Sequence, residues 1–302
     1  MNDHTDDEGQ ACGQWWRTGI IDMRPGSIRY RGYAVQDLIG NLGFAEMIWL
    51  MLRGELPGAG QGALLDAALM AAVDHGPQAP SIAISRMAMT CGVGLNNAMG
   101  SAVNVLGDVH GGAGEQAVEL YGDIARHLDA GMDLASAVRT GLDACIARRG
   151  KYVPGFGHRF HPIDPRAVRL MALMDEAVGQ GVIAGRHVAI ARAVEAELQA
   201  RKGRRLPMNI DGATAVVYAE LGFPAELARG LFCLSRSVGI LAHAWEQHEQ
   251  GGRNKGPIPR QFLPVYDGHP PRDLPPDRAG QGSRTPTGAP AREACTPATL
   301  AW

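Results

Sequence analysis

Apolar residues recur along most of the chain at intervals of three and four positions, which is the repeat of a helix with one buried face. One such stripe contains Phe44, Met47, Ile48 and Met51, and another contains Val118, Tyr121, Ile124 and Leu128. Similar spacing predicts further helices over residues 63–73, 81–106, 166–178, 187–200, 212–221, 225–233 and 238–249. The pattern therefore predicts a mainly α-helical chain.

The pattern changes near both ends of the chain. Residues 18–33 mix β-branched and aromatic residues around Pro25 and Gly26, which predicts a hairpin of short strands. Seven of the 19 prolines follow Tyr266, among Gly, Ser, Thr and Arg, and such a segment cannot bury a core of its own. We therefore expect a flexible arm at 1–17, a folded region at 18–266 and a disordered tail at 267–302.

Charge and composition exclude several classes of protein. The 302 residues include 29 basic and 31 acidic side chains, so the formal net charge is −2. Nucleic-acid binders and membrane-surface proteins usually need a basic excess, and no apolar run here is long enough to span a bilayer. The start of the chain is acidic and unlike a secretory signal, and the five cysteines contain no CxxC pair. We predict a cytoplasmic globular protein with no zinc ribbon, disulfide framework, nucleic-acid partner or membrane contact.

Four glycine-containing loops hold side chains suited to acid–base chemistry, namely His75, His110, His158 and Asp211. Each of the four is adjacent to a glycine, where the backbone can approach a ligand closely. Taken singly, a histidine in such a loop is more often a polar cap or a residue satisfied by its neighbours. Asp211, just ahead of an apolar helix, is in the same way consistent with an N-cap.

The combination of these side chains indicates proton abstraction next to a carbonyl. His110 immediately precedes a predicted helix, whose positive N-terminus disfavours imidazolium and keeps the ring neutral. A neutral imidazole can donate a hydrogen bond to a developing enolate oxygen, while an aspartate on another loop takes the proton as general base. The loops therefore predict enolisation chemistry.

Four motifs occur in order between residues 107 and 247: GDVHGGAGE, VPGFGHRFHPIDPRA, NIDG and FCLSRSVGILAHAWEQ. Together with the opening segment TGIIDMRPGSIRYRGYAVQDL, they resemble the citrate synthase superfamily over residues 18–266. The segments DHGP and NIDG are most similar to citryl-CoA lyases and to the lyase module of ATP-citrate lyase. The resemblance implies a mainly helical fold in which a large domain contains a smaller helical domain, roughly residues 115–210. It places the active site in the cleft between them and implies a homodimer.

The resemblance also implies a role for each polar side chain of the loops. His110 matches the histidine that stabilises the acetyl-CoA enol, and Asp211 matches the aspartate that takes or returns the methyl proton. His158 matches the histidine that polarises the carbonyl of oxaloacetate. His75 lies 35 residues before His110, which is the spacing of the family's other substrate histidine.

Two arginines and one loop complete the implied site. Arg166 and Arg236 match arginines that hold carboxylates, which suits the bidentate geometry of guanidinium; the alternative is a surface ion pair on a helix. The loop is implied to line the coenzyme A pocket through its backbone, and consists of Val153, Pro154, Gly155, Phe156 and Gly157.

One position departs from the family pattern. The family often supplies a further arginine from the partner subunit where this chain has Gly256. Arg253, Lys255 or Arg260 could take its place, or the substrate lacks the corresponding carboxylate. His158 and His161 have HxxH spacing, but no Cys, Asp or Glu nearby completes a metal site, and Asp164 is expected to position Arg166.

The implied reaction is cleavage of citryl-CoA to acetyl-CoA and oxaloacetate, with no metal or redox cofactor and with the coenzyme A thioester as substrate. One alternative is a citrate synthase of the tricarboxylic acid cycle, which condenses the same two products and hydrolyses the thioester. Another is a non-catalytic paralogue that binds acyl-CoA. The keto acid and any ATP-using partner that supplies citryl-CoA stay open, and no GxxxxGK[ST] motif is present for the chain to activate citrate itself.

Overall fold

The computed structural model describes residues 15–158, 162–259 and 261–275. It is mostly helical, as predicted, and the chain divides into one unit ending at Pro257 and a second beginning at Ile258. All the helices and strands of the described residues belong to the first unit. Residues 1–14 of the predicted arm and 276–302 of the predicted tail lie outside the described residues. The subdivision that sets apart 115–210 stays a prediction.

A small antiparallel sheet opens the described part of the chain. Strands β1 (Ile21–Arg24) and β2 (Ser27–Tyr30) pair with Ile21 opposite Tyr30, and β3 (Tyr33–Ala34) adds to β2. The connection between β1 and β2 is Pro25–Gly26, with Gly26 at φ +78°, so the predicted hairpin is confirmed. The Arg31 guanidinium fastens this sheet to the helices, because it donates to the carbonyl oxygen of Met51 at 2.6 and 3.1 Å.

Eleven helices follow within the described ranges. They are α1 (Val35–Leu38), α2 (Phe44–Arg53), α3 (Gln61–Ala71), α4 (Pro80–Thr90), α5 (Leu95–Val103), α6 (Ala113–Asp129), α7 (Leu134–Arg149), α8 (Pro165–Gly179), α9 (Arg186–Lys202), α10 (Ile210–Glu220) and α11 (Ala225–Gln250). None of these helices is long and apolar enough to cross a membrane.

Helix α10 lies at the centre of the main core. Eight of its eleven residues are buried, and α3, α6, α8 and α9 pack around it. Most of these buried residues are small, including Gly212, Ala213 and Ala215, so neighbouring helices approach closely. A second, smaller core lies between α4, α5 and α11 and contains Ile82, Ala102 and Ile240. The loops that join these two sets of helices hold His75 and His110.

Two predicted apolar stripes had different outcomes. The stripe on α6 is confirmed, since Tyr121 and Ile124 are fully buried. The stripe on α2 is wrong, because Phe44 is 80% exposed while Ala45 and Trp49 face the core. The Trp49 ring packs edge-on against Phe223 at 5.2 Å between centroids, so the large indole determines which face of α2 is buried.

The predicted helix boundaries also differ from the structure at three places. Residues 81–106 form two helices rather than one, because the chain turns at Gly92, whose φ is +84°. Residues 225–250 form one helix rather than two: the hydroxyl of Ser237 bonds the carbonyl of Cys233 at 2.6 Å and so does not interrupt it. Helix α7 was not predicted. Its N-cap is Asp133, which accepts the N–H of Ser136 at 3.0 Å.

The apolar residues around Cys91, Cys145 and Cys233 in the sequence predict that these cysteines lie in the core. Cys145 is buried and Cys233 is half-buried, whereas Cys91 is exposed in the turn between α4 and α5, so that expectation is wrong for Cys91.

Candidate active site

His110 lies in the turn before α6, with its ring against the first turn of α4. The backbone N–H of Ser81 donates to Nε2 of His110 at 3.2 Å, and the Ser81 hydroxyl lies 2.9 Å from the same atom. Because a backbone N–H can only donate, Nε2 must be an acceptor, and the proton of the neutral ring is assigned to Nδ1. Burial, and then the charge of Arg236, lower the pKa of His110 below its ordinary value. At neutral pH the ring therefore offers an N–H donor at Nδ1.

The turn that holds His110 has little freedom. Gly111 has φ +101°, and a Cβ on Gly112 would lie 2.6 Å from the carbonyl oxygen of Asp108. Arg229 of α11 binds the Asp108 carboxylate at 2.5 Å. Backbone geometry and an ion pair thus fix His110 against α4.

The structure brings His75 and His158 together, although they are distant in the sequence. Their ring centroids are 5.8 Å apart and the ring planes meet at 65°. Burial lowers the pKa of His75, and the positive charges of Arg236 and Arg166 lower it further. His75 is consequently neutral at physiological pH and lies in a region of positive potential, which suits an anionic ligand.

Asp164 positions Arg166, as the sequence predicts. Its Oδ1 accepts from Nε of Arg166 at 3.0 Å and its Oδ2 accepts from Nη2 at 2.9 Å. The same carboxylate accepts the backbone N–H of Ile210 at 3.0 Å, so it joins the start of α8 to the start of α10. Burial raises the pKa of Asp164, but Arg166 and the backbone donors more than offset this and hold it below the ordinary value. Asp164 therefore stays charged and keeps the guanidinium in one orientation.

Arg236 lies near the centre of the cluster and is 5% exposed. Its Nε donates to the carbonyl oxygen of Ala72 at 3.1 Å, and its guanidinium lies 4.8 Å from the Phe232 ring centroid. Burial lowers its pKa while the charge of Asp211 opposes that shift. No carboxylate of the described residues lies within 4.0 Å of this guanidinium, so it has the environment of an anion-binding arginine.

Asp211 lies in the first turn of α10 and is not its N-cap, so that interpretation is wrong. The N-cap is Asn209, whose side-chain oxygen accepts the N–H groups of Asp211 and Gly212 at 3.0 and 3.2 Å. Within the described part of the chain, the Asp211 carboxylate itself accepts no hydrogen bond. Burial raises its pKa, and this effect exceeds the opposing influence of Arg236 and Arg166. A buried carboxyl with a raised pKa binds a proton more strongly than an exposed one, which suits a group that exchanges a proton with a substrate.

The loop from Val153 to Gly157 is joined to the segment before α10. The N–H of Asn209 donates to the carbonyl oxygen of Gly155 at 2.9 Å, and the Asn209 side chain donates to that of Gly157 at 2.7 Å. Gly157 in turn donates to the carbonyl oxygen of Pro207 at 2.8 Å. Contact between coenzyme A and this loop stays a prediction. Coenzyme A would bind the backbone N–H and carbonyl groups that do not take part in these bonds.

Gly155 permits the closest approach in this loop. Its φ is +84°, and a Cβ there would lie 2.7 Å from Cα of Gly212. We expect Gly155→Ala to lower the free energy of unfolding by about 1–3 kcal/mol, measured by urea titration. Gly131→Ala is the matched control, because Gly131 has φ +88° but open space around it. Equal losses in the two variants would show that backbone strain, and not the contact with α10, limits position 155.

Two contributors to the site were not identified from the sequence. Ser81 fixes the His110 tautomer, and Asn209 caps α10 in place of Asp211. The only indication for Ser81 is that Pro80 begins a helix, whose first N–H groups need acceptors. Asn209 precedes the apolar helix directly and fits the N-cap preference better than Asp211 does.

The segment that departs from the family pattern is bound to the end of α4. The N–H of Asn254 donates to the carbonyl oxygen of Thr90 at 2.8 Å, and that of Lys255 donates to the Thr90 hydroxyl at 3.0 Å. Arg260, which with Arg253 and Lys255 is a candidate to replace the missing arginine, lies outside the described residues. His161 also lies outside them. The replacement therefore stays a prediction.

The fold and this cluster define a helical protein in which two arginines, three histidines and Asp211 meet where loops and helix ends come together. A family model described as "Citrate synthase, C-terminal domain" matches residues 8–63 and 59–260. The chain belongs to the citrate synthase family, and the resemblance seen in its motifs is confirmed.

Particular relatives give the likeness more detail. The citrate synthase of Haloferax volcanii is 32% identical over 233 residues, which are 74% of this chain and 58% of the relative, so the chain spans little more than half of that protein. The solved citryl-CoA lyase of Hydrogenobacter thermophilus is 33% identical, with a TM-score of 0.76 over 87% of this chain and 98% of that one. The ATP citrate lyase of Methanothrix soehngenii, at 20% identity and a TM-score of 0.71 over 87% of this chain and 44% of that one, shares the fold.

Proposed function

We propose that the protein cleaves citryl-CoA to acetyl-CoA and oxaloacetate. The observation that supports this most strongly is the surroundings of Arg236. A buried guanidinium without a carboxylate partner among the described residues acts electrostatically on two histidines and one aspartate, namely His75, His110 and Asp211. Anion binding, a neutral hydrogen-bond donor and a proton-exchanging carboxylate are three of the functions that this cleavage requires.

The substrate's carboxylates are held by His75, Arg166 and Arg236 in this proposal. His158 accepts the proton of the substrate's tertiary hydroxyl, and that carbon becomes the carbonyl of oxaloacetate as its bond to the thioester-bearing methylene breaks. The bonding electron pair passes to the thioester enolate, whose oxygen accepts a hydrogen bond from Nδ1 of His110. Asp211 returns a proton to the methylene carbon, which becomes the methyl group of acetyl-CoA.

The raised pKa of Asp211 supports this direction of reaction. A carboxyl whose pKa is raised holds its proton to a higher pH and can give that proton to an enolate, and its conjugate base removes the methyl proton in the reverse direction. Proton transfer and carboxylate binding by these side chains account for the steps above. Coenzyme A enters as part of the substrate.

Two alternatives lead to different products. The likeness to the Haloferax volcanii enzyme favours a citrate synthase, in which water hydrolyses the thioester after condensation. The likeness to the Hydrogenobacter thermophilus citryl-CoA lyase, which extends over 98% of that chain, favours cleavage. A non-catalytic acyl-CoA-binding protein would need neither Asp211 nor the His110 tautomer.

Product identification distinguishes the three possibilities. The protein is incubated with citryl-CoA and, separately, with acetyl-CoA plus oxaloacetate, and the products are separated by liquid chromatography. We expect acetyl-CoA and oxaloacetate from citryl-CoA. Citrate and free coenzyme A as the main products of both incubations would identify a citrate synthase. No product from a folded protein that binds coenzyme A would identify the non-catalytic form.

The same proposal includes a cytoplasmic homodimer. Helix α11 exposes large apolar side chains along one stripe, with Val238 58% and Trp245 48% exposed. The stripe consists of Leu234, Val238, Leu241 and Trp245. A stripe of this kind on a long helix is a suitable contact for a second copy of the chain. Sedimentation equilibrium would show a dimer for the wild type and a shift toward monomer for Val238→Lys.

The guanidinium of Arg236 can be tested directly. We expect Arg236→Leu to weaken the binding of oxaloacetate by about 2–5 kcal/mol, because one substrate carboxylate is left unpaired in the cleft. Isothermal titration calorimetry measures the loss. Arg169→Leu is the control, since Arg169 lies on α8 and its side chain is 66% exposed. Unchanged affinity in the Arg236 variant would show that the carboxylate is bound elsewhere.

A further inference from the structure

One face of helix α11 packs against the loop that holds His75. Gly239 lies on that helix, and its N–H donates to the carbonyl oxygen of Val73 at 3.2 Å. A Cβ on Gly239 would lie only 2.3 Å from that oxygen and 3.0 Å from Oδ1 of Asp74. The loop that holds His75 therefore lies directly on the backbone of α11, and small movements of the helix reach it.

His243, one turn further along α11, contacts the same loop. Its Nε2 lies 3.2 Å from Oδ1 of Asp74, the residue before His75. The other oxygen of Asp74 accepts the N–H of Gly76 at 3.1 Å, so this carboxylate is bonded to the backbone on the far side of His75. The His243 ring is half-buried at this contact.

Arg86 of α4 determines the tautomer of His243. Its Nη1 lies 3.2 Å from Nδ1 of His243 and also binds the Glu246 carboxylate, while its Nη2 donates to the side-chain oxygen of Gln250 at 2.8 Å. A guanidinium can only donate, so Nδ1 of His243 accepts and the proton is assigned to Nε2, facing Asp74. The ring thus bridges a donor on α4 and an acceptor in the His75 loop.

We infer that His243 is a positioning residue: in the tautomer selected by Arg86 it holds Asp74, and through Asp74 it fixes the orientation of His75 toward the substrate. The juxtaposition of Arg86, His243 and Asp74 assigns this histidine a more specific role than packing on the surface of α11. The inference rests on the proposed function for its effect on substrate, but not for its effect on the loop.

Two substitutions separate hydrogen bonding from packing. In His243→Gln, the amide nitrogen can donate to Asp74 while the amide oxygen accepts from Arg86. His243→Met fills similar space with neither group. His127→Met is the control, because His127 lies on α6 and the site does not use it.

Hydrogen exchange tests the loop without reference to activity. We expect amide exchange in residues 73–79 to become about tenfold faster in His243→Met, because the loop opens locally more often, and to stay near the wild-type rate in His243→Gln and His127→Met. Unchanged exchange in His243→Met would overturn the inference. Equally fast exchange in the Gln and Met variants would also overturn it, since packing alone would then explain the effect.

Binding of oxaloacetate tests the consequence for the site. His243→Met should weaken oxaloacetate about tenfold and leave coenzyme A affinity unchanged, while His243→Gln should restore most of the oxaloacetate affinity. If His243 acts through Asp74, the double variant with Asp74→Ala should lose little more than either single variant. Additive losses would contradict this route. A wild type that binds no oxaloacetate would instead refute the proposed function, and the exchange measurement would still decide the positioning role.

Discussion

Replacement of Asp211 by asparagine is expected to lower turnover by about 100-fold or more while coenzyme A binding survives. In the proposed mechanism only this carboxylate exchanges a proton with the methyl carbon, and an amide cannot do so. Steady-state turnover and the incorporation of solvent deuterium into the acetyl methyl group should fall together. Near-normal deuterium incorporation in the variant would refute the role. Asp175→Asn, on the outer surface of α8, is the control and should leave both quantities unchanged.

Asp211→Asn is also expected to change the melting temperature, and a cooperative melt would show that the variant is folded. The pKa of Asp211 is raised by burial above its value in the unfolded chain. The stability from this group is therefore complete below the unfolded pKa and is lost as pH rises through the raised folded pKa. Above the unfolded pKa the folded protein must either bind a proton at Asp211 or bury its charge, and both cost stability. Asp211→Asn should therefore melt at a higher temperature than the wild type at pH 7, with the difference vanishing near pH 3. A lower melting temperature at pH 7 would show that Asp211 is held by favourable contacts instead.

Removal of the His110 ring is expected to raise the barrier of the chemical step by about 2–4 kcal/mol, because the enolate oxygen loses its hydrogen-bond donor. That corresponds to a loss of roughly 30- to 1000-fold in turnover for His110→Ala. The KM for oxaloacetate should change little, since the ring contacts the thioester side of the substrate. Single-turnover kinetics measure the two effects separately.

Ser81 provides the matched comparison for this variant. Ser81→Ala removes the hydroxyl near Nε2 but retains the backbone N–H that fixes the tautomer. We expect its turnover to stay within about tenfold of the wild type, because one neutral hydrogen bond is lost and the donor at Nδ1 is kept. A loss as large as that of His110→Ala would show that the hydroxyl, and not the backbone, determines the protonation of the ring. If His110→Ala instead kept its turnover but bound oxaloacetate weakly, His110 would be assigned to oxaloacetate binding and not to the enolate.

The sequence predicted the helical class and most of the helices because periodic apolar residues reflect burial directly. It failed where apolar residues lie on two faces of one helix at the same spacing. On α2, the small Ala45 shares the buried face with Trp49, and Phe44 is left exposed. It also failed where a break depends on one glycine conformation, as at Gly92. Such choices are made by tertiary packing and are not visible in a local window.

Part of the candidate site could likewise be predicted from the sequence and part could not. His110 and Asp211 could be identified from motifs, because their neighbours in the sequence are part of the pattern. The partners that set their protonation could not, since Ser81 is 29 residues from His110 and Arg236 is on the last helix. The sequence argued for a neutral His110 from the helix N-terminus alone. The structure adds burial and Arg236 as causes of its lowered pKa.

Helix α11 also limits how the length of this chain can change. Four of its polar side-chain contacts come from positions seven residues apart, which an α-helix places on one face with a drift of only about 20° per heptad. The four positions are Arg229, Arg236, His243 and Gln250, and they bind Asp108, Ala72, Asp74 and Arg86. Insertion of one residue within this helix would rotate every later contact by about 100°. Natural variants of this protein should therefore keep the length of α11 between Arg229 and Gln250 and change the length of this helix only at its ends.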